Sequence, residues 1–138
     1  MTYLLDTDTV SHHQRGHLRV TRQIAAESAT DLLVSTVSLA EQMRGCWNAV
    51  NKARTDSELV AAFDLCRRIN RYYARLALVD FTHAAAERFH ALRAQGIRIG
   101  TQDLRIASIA LTQGAVLVTG NVGEFRQVPG LTVDDWSN

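Results

Sequence analysis

The chain has 138 residues, enough for one ordinary domain with a single core. Hydrophobic residues make up 46% and charged residues 21%, which excludes a disordered or fibrous chain, and no apolar run approaches the ~18 residues of a membrane span. A net charge of +1 does not announce a bulk-charge binder of nucleic acid, so any polyanion contact must come from the local distribution of charge.

The N-terminus lacks a basic segment followed by an apolar stretch and a cleavage site, and a cytoplasmic location is expected. Cys46 and Cys66 both fall in helical patterns and read as two buried thiols rather than a disulfide or a metal pair. There is no repeat, linker or low-complexity tract, and Pro129 is the only proline. One domain over residues 1–138 is expected.

In chain order, "YLL" at 3–5 reads as a buried strand that runs straight into Asp6. Residues 9–29 read as a helix or a broken pair, with Gly16 and His17 near the break. "DLLVS" at 31–35 reads as a second strand. "TVSLAEQMRGCWNAV" has apolar residues at 37, 39, 40, 43, 46, 47 and 50, close to helical spacing. "DSELVAAFDLCRRINRYYARL" reads as a longer amphipathic helix capped by Asp56 or Ser57, with Glu58 favourable in its first turn. "ALV" at 77–79 is a short third strand. "THAAAERFHALRAQG" is a helix stopped by Gly96. "TQDLRIASIALTQG" is a helix with Thr101 as its expected N-cap, Asp103 in the first turn and Gly114 at its end. "AVLVT" at 115–119 and "LTV" at 131–133 complete four or five strands.

Strands that alternate with helices predict a parallel sheet covered on both faces. Ligands of open parallel sheets bind outside the carboxyl ends of the strands. Asp6 ends the first strand, and Thr119 and Asn121 follow the fourth. Glu41 lies in the helix that leaves the second strand, and Asp103 opens the helix that feeds the fourth. Three carboxylates brought together would raise one another's pKa unless a cation neutralised them. A hard divalent ion with oxygen ligands fits that need, and it can lower the pKa of water and stabilise an in-line displacement at phosphorus. Each acid also has a purely structural reading. Asp6 could start a turn with Thr7, Glu41 could be a partly exposed helix residue, and Asp103 could favour the positive end of its helix.

Of the 15 basic residues, 14 are Arg, and ten basic against five acidic residues lie between Arg44 and Arg98. Arg67, Arg68, Arg71 and Arg75 share one predicted helix. They read as a solvated face or as a rim for phosphates. His12 and His13 are adjacent, so on a helix they point about 100° apart and suit one metal poorly. His83 and His90 could share a helical face, and all four read as surface or packing residues. Tyr72 and Tyr73 could stack on bases, and Trp47 reads as a core or subunit contact.

Four segments together, "YLLDTDTVSH" at 3–12, "VSTVSLAEQMRG" at 34–45, "IGTQDLRIASIAL" at 99–111 and "LVTGNVGEFRQVPGL" at 117–131, resemble the PIN-domain family, specifically the VapC-type toxin ribonucleases. The resemblance implies a three-layer α/β/α fold and cleavage of single-stranded or loop RNA. It also implies a divalent-metal site (Mg2+, with Mn2+ as the substitute) and a VapB-type antitoxin. As an alternative to base stacking, the resemblance implies that the helices over 37–54 and 57–75 form the homodimer and antitoxin groove. Residue by residue, Asp6, Glu41 and Asp103 match the family's three principal acids, and Thr119 matches the polar residue after the fourth strand. Asn121 stands where many relatives have Asp, and Glu124 is the nearest carboxylate for that fourth position. Asp8 stands where the family often has Asn. Arg44, Arg68 and Arg105 are the expected phosphate contacts. The alternative is a catalytically weak PIN-like module that binds RNA or protein. A phosphoacceptor domain would need a Lys after its last strand, but the only Lys is Lys52. The phosphate-cradling glycine motifs of nucleotide-binding domains are also lacking.

Overall fold

A computed structural model describes residues 1–138. Five short strands form the sheet: β1 (Tyr3–Leu5), β2 (Leu32–Ser35), β3 (Ala77–Val79), β4 (Val116–Val118) and β5 (Val133–Asp134). All pairs are parallel, in the order β3-β2-β1-β4-β5. The chain therefore builds outward from β1 to one side and then returns to build outward on the other. The crevice between β1 and β4 is the switch point where such sheets hold their ligands.

Seven helices flank the sheet: α1 (Thr7–Gln14), α2 (Leu18–Ala26), α3 (Thr36–Lys52), α4 (Asp56–Ala74), α5 (His83–Ala94), α6 (Thr101–Gln113) and α7 (Val122–Phe125). A single 3-10 turn, Ala29–Asp31, precedes β2. Successive strand residues face opposite sides of the sheet, and the core divides accordingly. Leu4 and Leu117 pack with Ala85 and Leu92 of α5 and with Leu104, Ile106 and Ile109 of α6. Leu5, Val34 and Val118 pack on the other side with Val10, Val20, Ile69 and Tyr73 from α1, α2 and α4. The result is the expected three-layer α/β/α arrangement, with five strands. Each fully buried Leu or Ile contributes about 2 kcal/mol relative to exposure.

The helix boundaries differ from expectation where side chains cap differently. The first helix starts two residues earlier than read, at Thr7, because Asp6 itself caps it, and it breaks before His17. Thr55, not Asp56 or Ser57, caps α4, accepting a hydrogen bond from the Glu58 amide at 3.1 Å. Glu58 in turn accepts from the amide of Arg54, the residue before the cap, at 2.8 Å. Gly100 rather than Thr101 precedes α6, whose end at Gly114 adopts the left-handed φ of 61° that glycine tolerates. Cys46 and Cys66 are free and half-buried. The Cys46 thiol is pushed up to about 11, first by burial and then by the neighbouring Cys66. Trp47 is not a core residue, being 62% exposed on α3. No helix is long and apolar enough to cross a membrane.

Candidate active site

The carboxyl edge of the sheet is polar and buried. Asp6, Thr9, Ser35, Ser38 and Thr119 are all buried there, among otherwise apolar surroundings. Buried polar groups need partners, and each of these has one. Asp6 Oδ1 accepts from the Thr9 amide at 2.8 Å, and the Asp6 amide donates to the Val118 carbonyl at 3.0 Å, which ties the acid to the end of β4. The Thr9 hydroxyl donates to the same carbonyl at 3.0 Å. Burial pushes the Asp6 carboxyl up, and hydrogen bonds from Thr119 and Thr9 pull it partly back.

Glu41 is fixed by a chain of hydroxyls. Thr7 donates to Glu41 Oε1 at 2.9 Å, and its oxygen lies 2.8 Å from the Ser38 hydroxyl. Since Thr7 gives its proton to Glu41, Ser38 donates to Thr7. Ser35 contacts Ser38 at 3.4 Å and caps α3 by accepting from the Ser38 amide at 3.1 Å. The capping of one helix thus aims a carboxylate one turn further along it.

Asp103 sits half-buried in the first turn of α6. Its carboxyl is pushed up to about 6, by burial first and then by Glu124, Asp6, Glu41 and Asp8. Four other carboxylates therefore lie close enough to Asp103 to disfavour its charge. Glu124 is turned by the Asn121 side-chain amide, which donates to it, while the Asn121 amide donates to the Thr119 hydroxyl at 3.0 Å. Asp8 is exposed at the mouth of the site.

The three principal acids, with Thr119, Asn121 and Glu124, therefore meet on one edge. As the side chains stand, no three acids, histidines or cysteines close on one point tightly enough to hold an ion. The donor set nevertheless fits a hard divalent cation. It is oxygen-only, and mutual repulsion raises Asp103, which a cation would relieve.

The arginines are placed differently from one another. Arg44 is exposed on α3 one turn beyond Glu41, on the same helical side. Arg68 is exposed on α4 and pairs with Asp64 at 2.9 Å. Arg105 lies over the Phe89 ring at 5.8 Å and donates to Gln102 at 2.8 Å, so it faces α5. Two residues from Asp103 on a helix, it points roughly 200° away from it.

Sequence reading missed Thr7, Thr9, Ser35 and Ser38. The available sign was the density of small hydroxyls in "DTDT" and "VSTVS", directly after two buried strands.

The family model of the PIN domain matches residues 3–131. The chain is 28% identical over 144 residues to Ribonuclease VapC2 of Rickettsia felis, covering 99% of this chain and 98% of that one. It is 24% identical over 140 residues to the tRNA(fMet)-specific endonuclease VapC of Salmonella typhimurium, covering 99% and 98%. The fold superposes with a TM-score of 0.82 on a chain of the DNA-bound VapBC structure from Salmonella typhimurium, at 24% identity, covering 99% of this chain and 98% of that one. Parallel topology, an acidic switch point and a family match over nearly the whole length agree: this chain belongs to the PIN-domain family.

Proposed function

We propose that this chain is the endoribonuclease toxin of a toxin–antitoxin pair, working as one cytoplasmic domain, hydrolysing phosphodiester bonds in single-stranded or loop RNA with Mg2+. The observation that carries the reading is that Asp6, Glu41 and Glu124 lie near enough to Asp103 at the carboxyl edge to add to the upward push its burial gives. The names of relatives that align end to end support RNA cleavage, and the VapBC complex on which the fold superposes supports a VapB-type partner.

Asp6, Glu41 and Asp103 would hold the ion, with Glu124 at a fourth position. A bound divalent cation supplies Lewis acidity at phosphorus and a water of lowered pKa. The chain's own contribution is orientation. Thr9 and Thr119 fix Asp6, the Ser35–Ser38–Thr7 series fixes Glu41, and Asn121 holds Glu124 towards Asp103. Water adds at phosphorus, the bond to the leaving oxygen breaks, and the product strand departs with that oxygen protonated. Arg44 beside Glu41 is placed to hold a flanking phosphate, whereas Arg105, turned to Phe89, is placed for a strand passing the α5 side.

The apolar outer faces of α3 and α4 would carry the antitoxin and the second copy of a homodimer. The test is cleavage of labelled RNA by the purified chain with Mg2+, with chelator, and with Asp103→Asn. Cleavage that persists in chelator or in the variant refutes the proposal. A weak binding module is favoured by one observation, Asn121 in place of a fourth acid, and predicts RNA binding without cleavage.

A further inference from the structure

An edge of five carboxylates repels an RNA phosphate, and a net charge of +1 gives little general attraction. The affinity for a strand must therefore reside elsewhere on the surface. Three hollows join end to end beside the acids. A wholly polar one starts at Asp8 and Asn121 and reaches Ser11 and Arg15. The next, between α1, α3 and α4, shares Ser11 and Arg15 and reaches Arg68 and Tyr72. The last shares Arg68 and Tyr72 and ends at Arg71 and Arg75. No carboxylate lines the second or third hollow, and Asp64 approaches only as the partner of Arg68.

We infer that this trough holds the single-stranded RNA that flanks the scissile phosphate, with Arg15, Arg68, Arg71 and Arg75 on its phosphates. The inference rests on the ribonuclease reading and adds to it a strand path. Arg68, Arg71 and Arg75 recur at helical spacing and form one exposed stripe on α4. Guanidinium groups bind phosphate bidentately. Tyr72, half-buried, has its hydroxyl 2.7 Å from His13 Nδ1, so its ring is fixed at the centre of the trough rather than mobile. The middle hollow is also lined by the apolar Cys46, Leu65 and Ile69, and a fixed aromatic on such a surface with guanidiniums beside it suits single strands, whose bases stack while arginines track the backbone. An acidic peptide would match the same charge. Continuity of the trough with the acids favours the strand that the acids would cut.

The test uses the full chain carrying Asp103→Asn, so that RNA is held and not consumed. Binding of a fluorescein-labelled, mixed-sequence single strand of about 12 nucleotides is followed by anisotropy over a salt series. Adding Arg71→Ala and Arg75→Ala should weaken binding about tenfold and lower the salt slope by about 1.4, roughly 0.7 for each lost phosphate contact. Arg71→Lys with Arg75→Lys should keep most of the slope. Both pairs are exposed, and an unchanged melting curve confirms folding. An unchanged slope in the alanine pair overturns the inference. So does intact RNA binding together with loss of a co-expressed protein partner, which would assign the trough to that partner. If the wild type cuts RNA and the slope is unchanged, only the strand path fails. If the wild type neither binds nor cuts RNA, the ribonuclease reading fails with it.

Discussion

The carboxyl edge of the sheet and the outer faces of α3 and α4 break the usual partition of residues in opposite ways. At the edge, charge is buried: Asp6 is 4% exposed and Asp103 is pushed up to about 6. On the helices, apolar surface is exposed: Met43 at 54%, Trp47 at 62%, Val60 at 70% and Phe63 at 56%. Each departure lowers the stability of the isolated chain, and neither is needed to close the core. The edge is organised by hydrogen bonds that aim single atoms, as catalysis requires. The helical faces offer area without direction, as association requires. On the proposed function, the difference separates a site for chemistry from a surface for partners.

The largest expected effect separates the two regions at the edge. Asp6→Asn keeps an oxygen that can cap α1 and removes one charge. RNA cleavage should fall by about a hundredfold or more, since loss of several kcal/mol of charge stabilisation corresponds to that rate. Oligomeric state should not change. A cleavage assay and light scattering on the same sample check both halves. Equal loss of activity and assembly would merge the regions that the account keeps apart.

The complementary change is Phe63→Asp on α4. A charge placed in an association surface should weaken assembly about thirtyfold, in line with roughly 2 kcal/mol for a central contact. The melting temperature of the monomer should hold, because Phe63 is outside the core. Sedimentation over a concentration series reads this. Assembly at wild-type strength would remove that face from the interface.

A finer effect is expected within the edge. Thr7→Val removes the donor to Glu41 and leaves the shape nearly intact. Groups that orient a metal-holding acid are worth about tenfold or more in affinity or activity. A tenfold rise in the Mg2+ concentration needed for half-maximal cleavage is the expected result. Thr7→Ser should restore the wild-type value, and failure of that rescue would show that packing, not the hydroxyl, matters.

How much of this was legible in the sequence follows from range. The β1, β3 and α6 spans and the parallel class came from local periodicity, and Asp6, Glu41 and Asp103 came from their positions after strands and at helix starts. The Thr7–Glu41 contact, 34 residues apart, carries no local trace. Nor does the turning of Arg105 onto Phe89, which depends on how α5 packs beside α6. Of the two readings of Trp47, core or subunit contact, its exposure on α3 removes the first, because the sheet side of that helix is already filled by Val37 and Ser38. The caps at Asp6 and Thr55 could have been read, since each precedes its helix directly with a side chain that accepts from the third residue on.

The smallest effect is a pH dependence. The folded Asp103 carboxyl titrates near 6, above its ordinary value of 3.8. Between those values the folded state binds more protons than the unfolded state, so the metal-free chain should lose stability as pH rises through that window. Saturating Mg2+ should raise the melting temperature at pH 7.5 by a few degrees, and by less at pH 5, where the proton competes. Calorimetric scans at the two pH values check this, and an equal rise at both would contradict an ion held by Asp103.

The most direct test of the account is the rate of RNA cleavage per folded molecule by Asp103→Asn with saturating Mg2+ at pH 7.5, with the melting temperature taken on the same preparation freed of metal. The account predicts that cleavage falls by about a hundredfold or more while melting is unchanged or higher, because carboxylate repulsion is relieved. A less stable protein that still cleaves at the wild-type rate would contradict it.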